Sequence, residues 1–204
     1  MKTKTDFDAC AERWTEDAYA DADAYLRHRA ELVRELGPRL EPGDTLLDLA
    51  CGDGGLARFL PDLRYVGVDA STRMVEAARA RGVEAVVADL NDYEPPRRVE
   101  ATSVFRAIYY ADDRAAFFRR AAAFTTKKLV FDLNPRQYRL VDVVPELRAA
   151  GFDVVHARPF FVPQTAALPN TAAAVLRALE RSGALARALL RVRFTYIISA
   201  SRSR

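Results

Sequence analysis

Residues 46–55 read LLDLACGDGG: an apolar run enters Asp48, and three glycines, Gly52, Gly54 and Gly55, then fall within four positions. A short apolar run that stops at a glycine turn and resumes as a helical pattern marks a buried strand feeding a helix. Parallel strands cannot be joined by hairpins and need crossover connections, so this feature constrains the fold more than any other in the chain. The same alternation repeats downstream. Strands are expected at 64–68, 83–88, 101–108, 127–133, 152–157 and 193–200. Helices are expected at 56–60, 72–81, 112–124, 134–150 and 171–190, the last one basic and amphipathic. Ahead of the first strand, residues 6–36 lack Gly and Pro and keep Leu26, Ala30, Val33 and Leu36 at helical spacing, with Gly37-Pro38 as the stop. Strands alternating with helices predict an α/β fold with a mainly parallel sheet. Ligands of such sheets bind beyond the carboxyl ends of the strands, where strand order reverses.

Charge decides between ligands. Taken literally, Gly52-x-Gly54-x-x-Ala57 satisfies a dinucleotide fingerprint. A pyrophosphate, however, needs bare N–H groups and a helix N-terminus. Here Asp48 ends the strand and Asp53 sits inside the loop, where carboxylates repel phosphate and attract a cation. Two further acids end strands: Asp69 after YVGV, suited to ribose hydroxyls, and Asp89 after VVA, suited to an adenine amino group. Spacings of 21 and 20 residues from Asp48 to Asp69 to Asp89 correspond to one β-α unit each. No Tyr-x-x-x-Lys pair is present to run hydride chemistry.

With these residues in view, the chain resembles the class I S-adenosylmethionine (SAM)-dependent methyltransferases from about Thr45 onward. The family's D-x-G-x-G-x-G corresponds to Asp48 through Gly54, with Ala50 in place of the first loop glycine. The resemblance implies a seven-stranded, mostly parallel sheet with helices on both faces, the last strand antiparallel beside the sixth, and an N-terminal helical lid. It implies SAM as cofactor, S-adenosylhomocysteine as product, and no metal. Its cofactor-binding set is Arg29, Asp48, Ala50, Cys51, Gly52, Gly54, Asp69, Ala70, Met74, Asp89, Leu90 and Arg106. His28 and Tyr109 are the catalytic candidates, and Arg106 and Tyr110, which follow the fourth strand with Tyr109, also lie where the family positions its acceptor. His28 lies off the Leu26/Val33 stripe, so it is expected to face solvent or the crevice, and Trp14, Tyr19 and Tyr25 are candidates for the lid or the core.

The expected activity is methyl transfer to an O or N atom of a small organic molecule. A SAM-binding protein without transfer, and a membrane-surface enzyme with a lipid-like acceptor, stay open as alternatives. The segment after the fourth strand, FRAIYYADD, lacks the [DN]-P-P-[YF] of base-modifying enzymes, so nucleic acid is not expected as substrate. Net charge is +3 overall, but residues 171–204 carry seven arginines against Glu180 alone, leaving the remainder at −3. Any membrane contact therefore rests on that tail. The length of 204 residues suits one domain: a lid over 1–40, a SAM-binding core over 41–158, and a loop, helix and last strand over 159–204. Cys10 and Cys51 form no disulfide or metal spacing, and the N-terminus has no apolar signal core, so a cytoplasmic location is expected. Oligomeric state is left open.

Overall fold

The structure, a computed structural model, describes residues 8, 10–134, 136–183, 186, 188 and 195–203. Among them, helices α1 (Trp14–Ala18) and α2 (Ala22–Glu35) precede β1 (Thr45–Leu49) and β2 (Arg64–Asp69). Helix α3 (Thr72–Ala80) leads to β3 (Glu84–Val87) and β4 (Val99–Val104). Then come α4 (Arg114–Phe124), β5 (Thr125–Leu133), α5 (Leu140–Ala149), β6 (Val154–Pro159), α6 (Asn170–Glu180) and β7 (Tyr196–Ser201).

The seven strands form one sheet in the order β3-β2-β1-β4-β5-β7-β6. β7 runs antiparallel to both β5 and β6, while the pairs from β3 across to β5 are parallel. The chain thus has the α/β architecture expected from its sequence. Strand order reverses between β1 and β4, which opens a crevice at their carboxyl ends.

Both sheet faces are covered, which explains why the central strands read as apolar runs rather than as alternations. Leu46, Tyr65, Ala101, Val130 and Ile197 pack on one face against Leu26, Leu32, Val33 and Leu36 of α2. Leu47, Leu49, Val104, Leu129 and Phe131 pack on the other against Phe117 and Phe118 of α4 and Leu147 of α5. Lys128, fully buried on β5, pins α2 in place by donating to the carbonyls of Arg34 (3.1 Å) and Leu36 (2.9 Å), which the helix end leaves without intrahelical partners. Burial pushes its ammonium pKa down to about 7.

Several expected boundaries shift. The helix expected at 56–60 is a single 3-10 turn, Ala57–Phe59, because Pro61 bars Leu60 from helical backbone. β4 stops at Val104 rather than 108, since Arg106 turns to φ 56° and Ile108–Tyr110 forms a 3-10 turn. α5 begins at Leu140, after a turn in which Gln137 and Tyr138 donate to the Asn134 carbonyl. The N-terminal helix comes in two pieces, a division the sequence reading allowed, with the Asp21 side chain capping the Ala24 amide at 2.9 Å at the start of α2. Residues 6, 7 and 9 lie outside the described residues. So does most of the expected tail helix beyond Gly183, including Leu185 and Leu189, and the first two residues expected of the last strand. Among the described residues, no helix is long and apolar enough to cross a membrane.

Candidate functional site

A cavity of about 490 Å³ sits at the carboxyl ends of β1 to β4. Its wall contains Arg29, Asp48, Ala50, Cys51, Gly52, Asp69, Ala70, Met74, Asp89, Leu90 and Arg106, so the structure gathers all but one of the expected cofactor residues. The exception, Gly54, supports the loop from behind: a Cβ there would lie 3.0 Å from Val83 Cγ2. Ala50 adopts φ 61°, the left-handed conformation that glycine takes without strain, and Gly52 and Gly54 follow at 57° and 72°. Alanine accepts this backbone at a cost of about 1–2 kcal/mol.

Each acid meets a different environment. Asp48 is buried, accepting from Ser103 Oγ at 2.6 Å and from the Tyr65 hydroxyl. Register explains the first partner, since Ser103 lies directly opposite Asp48 on β4. Burial raises the Asp48 carboxyl to about 6, against the two hydroxyls and Arg29, which lower it. The folded protein therefore binds this proton more tightly than the unfolded chain, where the value is about 3.9, and stability falls as pH rises from about 4 to about 6. Asp48→Asn, whose amide can accept from one hydroxyl and donate to the other, is expected to raise stability at pH 8 by about 1–3 kcal/mol. It should also flatten the pH 4–6 dependence; urea unfolding at pH 5 and pH 8 measures both.

Asp53 corrects the expectation that loop carboxylates are presented to the ligand. It is buried and accepts from the Thr15 amide (3.0 Å), the Thr15 hydroxyl (2.5 Å) and the Gly55 amide (3.3 Å). Arg81 Nη2 lies 2.9 Å away as counterion. Its charge is spent fastening α1 over the glycine loop. The glycines make room for that strap. A Cβ at Gly52 would lie 2.9 Å from Trp14 Cδ1, and one at Gly55 would lie 2.2 Å from Thr15 Oγ1.

Asp69 and Asp89 are the acids that face the cavity from β2 and from the loop after β3. Asp69 accepts the Gly52 and Ser71 amides, both at 2.9 Å, which hold its carboxylate in one orientation. Burial raises its pKa, against those two amides, which lower it. Asp89 accepts the Asn91 amide (2.8 Å) and side chain (2.9 Å). Asn91 in turn reaches the Tyr110 carbonyl (3.1 Å) and the Asp112 amide (2.9 Å), joining the Asp89 side of the cavity to the segment after β4. Asn91 went unnoticed in the sequence, although Asp-x-Asn after a strand is a recognisable side-chain-capped turn.

On the other side, Arg29 is 3% exposed and holds the Tyr19 and Tyr25 hydroxyls at 3.3 and 3.1 Å. Its guanidinium stands 4.4 Å from the Phe105 ring centroid and 3.7 Å from Asp132. Trp14 and Tyr19 belong to the cavity wall; Tyr25 is core, stacked on Tyr19 at 4.4 Å.

Both catalytic candidates are corrected. His28 faces neither solvent nor the crevice: it is 1% exposed, stacks on Phe160, and bonds Glu180 at 2.5 Å and Glu31 at 3.2 Å. Glu180 also accepts the Phe161 amide at 2.6 Å, so the pair locks α2 to α6. A partner 152 residues away in sequence left no local signal. Tyr110, not Tyr109, lines the cavity. Tyr109 packs against the core and against Tyr110, and burial pushes its hydroxyl up to about 12.

Comparison with known proteins bears most on the stretch that carries the glycine loop, Asp69 and Asp89. Residues 46–128 match the family model described as "Methyltransferase domain". Over this stretch the chain is similar to methyltransferase domains. The trans-aconitate 2-methyltransferase of Mycobacterium tuberculosis (strain ATCC 25177 / H37Ra) is 32% identical over 110 residues, covering 50% of this chain and 40% of that protein. The enzyme of the same name from Mycolicibacterium gilvum is 38% identical over 78 residues, 35% of this chain and 30% of that protein. The chain thus spans well under half the length of these curated relatives. Among solved structures, a putative methyltransferase complexed with the Trm112 activator from Haloferax volcanii superposes with TM-score 0.69 at 20% identity, covering 100% of this chain and 98% of the other. A TehB-like SAM-dependent methyltransferase from Corynebacterium glutamicum gives 0.68 at 14% identity, covering 98% and 100%. These superpositions show that the chain has the fold of those structures along almost its whole length.

Proposed function

We propose that the chain is a SAM-dependent methyltransferase acting on an O or N atom of a small organic molecule. One observation carries this: a glycine loop at the end of β1, with Asp69 and Asp89 at the ends of the next two β-α units, walls a single cavity. The cavity suits the cofactor's chemistry, since Asp69 keeps lone pairs for ribose hydroxyls, Asp89 for the adenine amino group, and the buried Arg29 Nε lacks a partner and is placed for the methionyl carboxylate. SAM supplies a methyl group already activated on a sulfonium. The protein then has to hold the acceptor about 3–3.5 Å from that carbon, in line with the breaking bond.

A general base is needed only for an acceptor that arrives protonated. With His28 engaged elsewhere and Tyr109 outside the cavity, the site favours an acceptor that is already nucleophilic at neutral pH. The relatives named for trans-aconitate support acceptors of that kind. We place the protein in the cytoplasm because Cys10 and Cys51 have no disulfide spacing in the sequence. The closed strap over the loop supports a lid role for the N-terminal segment. Contact with a membrane through the basic tail is a weaker reading, because α6 leans on α2 through Glu180–His28 and Arg177–Glu31. Incubation with methyl-labelled SAM and a panel of small acids, amines and phenols tests the proposal. Transfer of label supports it; tight S-adenosylhomocysteine binding without transfer to any acceptor would leave a SAM-binding protein instead.

A further inference from the structure

Arg29 reaches the cavity wall with a carboxylate behind it. Asp132, near the end of β5, is buried and does not itself line the cavity. Its two oxygens serve different segments: Oδ1 accepts the Arg106 amide at 2.6 Å, and Oδ2 stands 3.7 Å from Arg29 Nη2. That second separation is an ion pair without a hydrogen bond. Other groups fix where the guanidinium lies. The Tyr19 and Tyr25 hydroxyls accept from its Nη1 and Nη2, and the Phe105 and Tyr25 ring centroids lie 4.4 and 4.8 Å from it. Asp132 therefore gives Arg29 a counter-charge more than a geometry. Asp48 also feels the Arg29 charge, but its oxygens are taken by Ser103 and Tyr65. The remaining Arg29 donor, Nε, is buried with no partner.

We propose that Asp132 sets how tightly the cofactor is held: as the resident counterion of Arg29, it competes with the methionyl carboxylate for one guanidinium and so keeps the product from binding too tightly to leave. This rests on the methyltransferase reading above and deepens it. A carboxylate arriving at Nε meets a cation whose field Asp132 has already partly cancelled. It also meets Asp132 as a like charge on the far side of the guanidinium. Burial excludes the water and salt that would screen the two carboxylates from each other, so their opposition is stronger than at a surface. The same pair serves the empty protein. A buried guanidinium without a counterion is strongly destabilising, and Asp132 makes Arg29 tolerable before any ligand arrives. Burial raises the Asp132 carboxyl pKa, against Arg29 and the Arg106 amide, which lower it.

The test uses the full chain at pH 8 as wild type, Asp132→Asn, Arg29→Gln and the double variant. Asparagine keeps the side-chain size and an oxygen for the Arg106 amide while removing the charge. The probes, titrated by calorimetry, are S-adenosylhomocysteine and its decarboxylated analogue, which differ only in the methionyl carboxylate. Failure of the wild type to bind either probe would sink the methyltransferase reading itself. Equal binding of the two by the wild type would overturn the proposal alone, because no carboxylate would then be held. Asp132→Asn is expected to bind S-adenosylhomocysteine about tenfold more tightly than wild type, and to raise the preference over the analogue by a similar factor. A merely structural role would weaken both probes together and leave that preference where it was. S-adenosylhomocysteine binding that is unchanged or weaker, or both probes tightening alike, would overturn the proposal. Should Asp132→Asn alone fail to fold, the Arg29→Gln background decides. There the added Asp132→Asn removes an unpaired buried carboxylate and should restore about tenfold of S-adenosylhomocysteine affinity relative to the analogue. No such recovery would equally overturn it.

Discussion

Asp69→Ala protein is expected to hold S-adenosylhomocysteine about 10- to 100-fold more weakly than wild type, the scale of losing charged hydrogen bonds. The carboxylate does two jobs at once. Its oxygens take the Gly52 and Ser71 amides, one from the glycine loop and one from the cap of α3, so it fixes the two walls between which a ribose must fit. Ser71 completes the arrangement by accepting the Met74 amide at 3.1 Å and donating to Asp8. Alanine removes both the acceptor and the clamp. Asp69→Asn keeps the shape but turns one acceptor oxygen into a donor that faces an amide, so it should fall between the two. Calorimetry on the three proteins measures the series. Affinity in Asp69→Ala equal to wild type would mean that the ribose is not held here.

Asp53→Ala is expected to cost about 3 kcal/mol of stability, because it strands a buried set of donors and the Arg81 charge together. For a chain of this length that corresponds to a fall of roughly 6–12 °C in Tm. Release of the strap is the other expected sign. With Thr15 and Trp14 no longer fastened over the loop, limited proteolysis should cut between residues 10 and 20 in the variant and spare the wild type. Thr15→Val removes only the hydroxyl partner and should lose about 1 kcal/mol. A resistant strap in Asp53→Ala would show that apolar packing of Trp14 on Gly52, rather than the carboxylate, holds the lid.

Both variants bear on how the acids divide their work. The sequence shows four aspartates converging on one loop. In the folded protein all four line the cavity; Asp48 is bonded to Ser103 and Tyr65 and Asp53 to Thr15 and Arg81, whereas Asp69 and Asp89 accept from Gly52, Ser71 and Asn91 of the adjoining turns. Two of the four therefore also fasten distant parts of the chain to the loop.

What was legible in the sequence follows from short-range physics. Apolar runs that stop at glycine or aspartate mark buried parallel strands, and the strand-end positions of Asp48, Asp69 and Asp89 follow from that period alone. The Gly37 stop of α2 is equally local. Residues whose partners lie far along the chain were not legible. His28 lies off the apolar stripe of α2, yet α6 and the loop after β6 cover it, and Glu180 supplies the partner that makes its burial tolerable. Tyr109 and Tyr110 are neighbours in sequence, and the 3-10 turn they share sends one to the core and the other to the cavity. The amino-acid order by itself determined the sheet, its crossovers and which strand ends meet. The tertiary structure alone decided where each charge is neutralised, because a buried polar group must find its partner in space, and contacts across 28 to 152 residues leave no periodicity to read.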